Sequence, residues 1–63
     1  MISLNQQIEE VERELSLRRR VYASQVASGK MRQSVAELHM QRMQAVLETL
    51  NRLREEAEQE QPP

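Results

Sequence analysis

The 63-residue chain has no cysteine, no phenylalanine and no tryptophan. It has one tyrosine (Tyr22), one histidine (His39) and one glycine (Gly29), and its two prolines are the last two residues, Pro62 and Pro63. Each shortage excludes something. Without cysteine, neither a disulfide framework nor a thiolate metal site can reinforce a small core. Apolar runs never exceed two or three residues, so neither a transmembrane helix nor a signal-peptide core is expected, and the expected location is the cytoplasm. No proline interrupts the chain before its end. Gln, Glu, Arg, Leu, Ala and Met dominate, all good helix formers, and the expectation is an all-α protein.

Two apolar-periodic stretches flank Gly29. In the first, Leu4, Ile8, Val11, Leu15, Tyr22 and Val26 fall in steps of three, four or seven, which is one stripe of a helix. Arg18 occupies the missing step. Ser3-Leu4-Asn5-Gln6 fits a capping box at the start. Glu9–Arg13 and Glu14–Arg18 have the spacing and orientation of i,i+4 ion pairs. In the second stretch Ala36, Met40, Met43, Leu47 and Leu50 repeat in heptad-like steps, and His39, Val46, Leu53 and Ala57 widen that stripe on one side. Glu37, Gln41, Gln44, Glu48, Arg52 and Glu55 form the opposite, solvent face. Ser34-Val35-Ala36-Glu37 has the form of a second capping box, although Met31 and Val35 also suit an earlier first turn.

An isolated glycine past a helical run reads as a C-terminal cap, because it takes φ > 0 without a Cβ penalty. The spacing thus predicts one domain over residues 1–63. Helix 1 spans about 3–28, a hinge 28–31, helix 2 about 32–58, and a frayed tail 59–63. A short connection makes the helices antiparallel neighbours.

A lone hairpin leaves half of each stripe exposed, and a core this small rarely stands alone. The expected assembly is a homodimer that makes a coiled-coil-like four-helix bundle, with Leu4, Ile8, Val11, Leu15, Val26, Met40, Met43, Val46, Leu47, Leu50 and Leu53 as its self-association core. Charge suggests how the copies meet. From Leu15 to Ala36 there are five cations (Arg18, Arg19, Arg20, Lys30, Arg32) and no acid. Residues 1–14 carry four acids against one cation, and residues 37–63 carry six acids against three cations. The folded rod then has a basic hinge end and an acidic open end, so two rods prefer to pair hinge to open end.

Catalytic chemistry finds little footing. His39 sits at the edge of the second stripe, where a packed histidine bonded to a backbone or Gln acceptor is the simplest reading. A metal site needs three or four converging ligands, and no Glu-x-x-His or His-x-x-x-His spacing occurs. The serines have no local His or acid arrangement. No enzyme activity, cofactor, metal or small-molecule substrate is expected. Leu17-Arg18-Arg19-Arg20-Val21-Tyr22 is the densest basic run, and helical spacing spreads its three Arg over half the circumference. It serves either solubility and ion pairing to a second copy, or an anchor on an acidic protein surface or phosphate. Leu17 and Val21 lie off the main stripe, one turn apart and beside Arg20. Met40 and Met43 fill core gaps or offer an adaptable binding surface.

Three segments together resemble a group of small phage and prophage proteins: Glu14-Leu15-Ser16-Leu17-Arg18-Arg19-Arg20-Val21-Tyr22, Val26-Ala27-Ser28-Gly29-Lys30-Met31 and Met43-Gln44-Ala45-Val46-Leu47. The shared pattern is E-L-x-x-R-R-x-V-Y, then V-x-x-G-[RK]-[ML], then M-x-A-[VI], over about residues 8–50. Many members have Pro after the Tyr, where this chain has Ala23, and tend to have Ser where it has Arg32. The resemblance implies a non-enzymatic accessory protein in the bacterial cytoplasm. Such a protein binds and disables a host protein, for example a transcription regulator, a quorum-sensing receptor or a defence complex. Leu17, Arg18, Arg19, Arg20, Val21, Tyr22 and Lys30 are the candidate partner contacts. The alternatives are a dimeric RNA- or DNA-binding hairpin of Rop-like architecture, against which the low isoelectric point of about 5.8 argues, and a purely structural assembly helix pair.

Overall fold

A computed structural model describes residues 1–59. These form two helices and no strand, α1 (Leu4–Ala27, 24 residues) and α2 (Gln33–Gln59, 27 residues), packed against each other as a hairpin. The molecule is a rod, 54 Å long and 19 by 16 Å across. Of the tail expected at 59–63, Gln59 closes α2, and residues 60–63 lie outside the described residues.

The start of α1 is the capping box that its sequence predicts. The Ser3 hydroxyl accepts from the Gln6 backbone N–H at 3.1 Å, and the Gln6 Oε1 accepts from the Ser3 N–H at 2.9 Å. Its end is a Schellman turn. Gly29 takes φ +77° as the left-handed residue past the cap Ser28. Its N–H donates to the Val26 carbonyl at 3.1 Å, and the Lys30 N–H reaches back to the Gln25 carbonyl at 2.8 Å. Carbonyls that the helix end would orphan are thereby satisfied, and the chain reverses within a few residues.

α2 begins at Gln33, one residue from the expected start near 32, but the expected Ser34–Glu37 capping box does not form. Ser34 lies inside the first turn and does not cap it. The Arg32 carbonyl accepts from the Val35 and Ala36 N–H groups, both at 3.1 Å, which puts Arg32 at the cap position. Glu37, expected to close a box with Ser34, instead accepts from the Gln33 side chain at 3.1 Å. The hinge has already turned by Met31, which is half-buried, so the helix must begin before Ser34 to bring Ala36 onto the seam.

The seam follows the two stripes. Ile8 and Leu15 from α1 and Ala36 from α2 are the fully buried residues, at 3, 2 and 6% exposure. Leu4, Val11, Tyr22, Val26, Met40, Met43, Leu47 and Leu50 are half-buried around them. Two branched aliphatic side chains and one alanine make a thin core, as expected where each helix has only one neighbour. Arg18 takes the missing stripe position. Its stem lies half-buried on the seam, and its guanidinium turns out to Glu14.

Candidate functional site

The helix divides the run from Leu17 to Tyr22 among three directions. Arg18 is committed to its own helix. Its Nε donates to the Glu14 Oε1 at 2.8 Å, the one ion pair among the described residues; the spacing of Glu9 and Arg13 does not become one. The Glu14 hydrogen bond raises the Arg18 pKa above its ordinary value, with smaller contributions from the charges of Tyr22 and Glu14, while partial burial opposes it.

Arg19 and Tyr22 belong to a groove of about 390 Å³ on one flank of the seam. Arg19, Tyr22, Ala23 and Val26 line it from α1, and Gln33, Ala36, Glu37, Met40 and Gln41 from α2. On α1 these positions run i, i+3, i+4, i+7, and on α2 they continue to i+8, the signature of a single helical edge. The floor is apolar and opposite charges face each other across the rim, Arg19 on one wall and Glu37 on the other. Tyr22 also meets His39 across the seam, with ring centroids 6.4 Å apart and planes tilted by 55°. His39 is half-buried, and this ring contact stands where a hydrogen bond to a backbone or Gln acceptor was expected; no side-chain hydrogen bond holds it among the described residues.

Leu17, Arg20 and Val21 point elsewhere. With Ser24 and Gln25 they line a shallow concavity on α1 of about 440 Å³. Lys30 is exposed in the hinge. Residues absent from the sequence-based set therefore contribute to both surfaces: Ser24 and Gln25 to the concavity, Gln33, Glu37 and Gln41 to the groove. Counting four, seven and eight residues on from Leu17 and from Gln33 reaches Ser24, Gln25, Glu37 and Gln41. That Arg19 and Glu37 line one groove depends on the register of the two helices, which no single-helix pattern carries.

Among the described residues, no three His, Asp or Glu side chains converge as metal ligands, and no helix is long and apolar enough to cross a membrane. No protein-family model, curated protein or solved structure matches this chain.

Proposed function

We propose that this chain is a non-enzymatic phage accessory protein that binds a bacterial host protein and modulates or inhibits it, acting as a homodimer of hairpins in a four-helix bundle. The observation that carries the reading is the groove between the helices in the hinge half. It offers an apolar floor from Tyr22, Val26 and Met40, large enough for one or two side chains of a partner, with Arg19 at its rim. Tyr and Arg are the residue types that most often anchor protein interfaces, and Met40 adapts its shape to what it meets. Arg20 and Lys30, both exposed in the same half, draw an acidic partner surface toward this end. The likeness to small phage proteins supplies the setting, and it covers the same hinge half.

The thin core supports the dimer. Three buried residues are few for a chain of this length, and eight large apolar residues remain exposed on the hairpin.

The test is affinity capture from bacterial host lysate with the wild type and with Arg19→Glu/Arg20→Glu, followed by titration of the captured protein in purified form. The variant is expected to keep its helical circular dichroism and to lose the captured protein. Equal recovery by both overturns the proposed surface. Capture of nucleic acid instead, with an affinity that falls steeply with salt, favours the Rop-like alternative.

A further inference from the structure

The groove occupies one flank of the seam, and the α2 side of the other flank carries an exposed apolar stripe. Arg19 and Ala23 step off the α1 seam in one angular sense, and Leu17 and Val21 step off in the other. On α2, Glu37 and Gln41 step off toward the groove, and Val35, Val46 and Leu53 step off away from it. Arg19, Ala23, Glu37 and Gln41 share the groove. Val21, Val35, Val46 and Leu53 therefore share the opposite flank, with Leu17 further round on the outer face of α1. Val46 and Leu53 are 45 and 46% exposed there, large for residues in heptad register with half-buried His39. Positions 39, 46 and 53 recur every seven residues and hold nearly one direction, as a coiled-coil seam does. Arg42 is the one charged residue within the stripe, and its long stem can lie along it with the guanidinium in solvent.

We infer that this flank is covered by a second copy of the chain, related by a twofold axis through Val46, so that α2 packs antiparallel on α2. The inference rests on the dimer proposed above and specifies its face and direction. Antiparallel pairing about Val46 sets Leu53 of each copy against His39 of the other, seven residues to either side. Charge selects this direction. Cross-seam contacts of Tyr22 with His39 and of Asn5 with Arg54 place Val46 level with Glu14 and Leu15 on α1. The same twofold then brings Arg20 of one copy level with Glu9 and Glu10 of the other. Lys30 and Arg32 come near the level of the other copy's Glu56 and Glu58. The parallel alternative stacks the two basic hinges on each other and the two acidic ends likewise. The groove with Arg19 stays outside the pair, free for a partner.

The absence of cysteine makes the test direct. Single variants Val46→Cys and Glu48→Cys are oxidised in air with a copper catalyst, and the wild type is weighed by sedimentation equilibrium at micromolar concentration. The expected result is a dimer mass, a disulfide-linked dimer for Val46→Cys, and none for Glu48→Cys on the groove flank. Leu53→Cys is expected to cross-link with His39→Cys when the two are mixed, and not with itself. Leu53→Arg is expected to weaken the dimer about tenfold or more, because a charge enters a stripe that pairing desolvates. A wild-type monomer overturns both this face and the dimer. A wild-type dimer in which Glu48→Cys cross-links and Val46→Cys does not overturns the face alone. Self-linking of Leu53→Cys overturns the antiparallel direction alone.

Discussion

The Arg54 Nη1 donates to the Asn5 Oδ1 at 3.3 Å, joining residues 49 apart in sequence at the open end of the hairpin. Its Nη2 donates to the Asn51 Oδ1 one turn earlier on α2, at 3.1 Å. The hinge holds the two helices together at one pole through the backbone turn at Gly29, and this fork holds them at the other. Arg suits the place because its planar head satisfies two acceptors at once while its stem covers the end of the seam. Between the two poles the thin core sets the register, with Leu15 at its middle.

Removing the clasp should loosen the open end. Asn5→Ala is expected to cost about 0.5–1 kcal/mol, the worth of one partly exposed hydrogen bond. Arg54→Ala should cost more, since it also loses the bond to Asn51 and the packing of its stem. The double variant should cost less than the two singles together. Urea unfolding at one fixed protein concentration measures all three, and strict additivity would show that the contact carries no coupling.

At the other pole, Gly29→Ala should destabilise by about 1 kcal/mol through backbone strain alone. A Cβ there meets nothing within 4 Å, so no steric clash adds to the cost. The positive φ of 77° is the whole penalty. Asn tolerates the left-handed region better than Ala, so Gly29→Asn should lie between the wild type and Gly29→Ala. An Ala variant as stable as the wild type would mean that the hinge relaxes to another turn.

Much of this fold is legible in residue order. Steps of three and four mark both stripes, the lone glycine marks the reversal, and Ser3 with Gln6 marks a helix start. The misses have separate causes. Arg54 reads as polar and drops out of an apolar count, yet a long side chain can occupy the seam with its stem and satisfy its charge beyond the edge. Arg18 does the same one stripe over, and there the gap in the pattern shows it. Ser34 and Glu37 have the spacing of a capping box, but the tightness of the hinge starts α2 earlier and leaves that pair inside the helix. The groove is invisible for a different reason. It exists only where an edge of α1 meets an edge of α2, and their relative register is decided by the core and the clasp.

The Glu14–Arg18 pair should contribute modestly and depend on salt. Side-chain exposures of 44 and 26% place it between a surface pair and a buried one. Glu14→Gln is expected to cost about 0.5 kcal/mol at low ionic strength and less near about 1 M salt. The Arg18 pKa is raised in the folded state, so its stabilising contribution is complete below the unfolded value and is lost only as pH rises through the folded one. Both lie far into the alkaline range, so between about pH 6 and pH 9 Arg18 should add no slope to stability. A difference between wild type and Glu14→Gln that varies across that interval would contradict this assignment.

The last prediction concerns the start of α2, where a cation stands at the cap. Arg32 accepts the first helical bonds through its carbonyl, but its side chain offers no acceptor to the free N–H groups of the first turn. Its positive charge also opposes the positive end of the helix dipole. Arg32→Ser supplies a hydroxyl acceptor and removes the charge, and it should stabilise the hairpin by about 1 kcal/mol. The same change removes one cation from the hinge pole that faces Glu56 and Glu58 in the antiparallel pair. Stability measured by urea should therefore rise while the dimer formed at low salt weakens. If both rise together, Arg32 takes no part in pairing; if stability falls, Arg32 does not sit at the cap in solution.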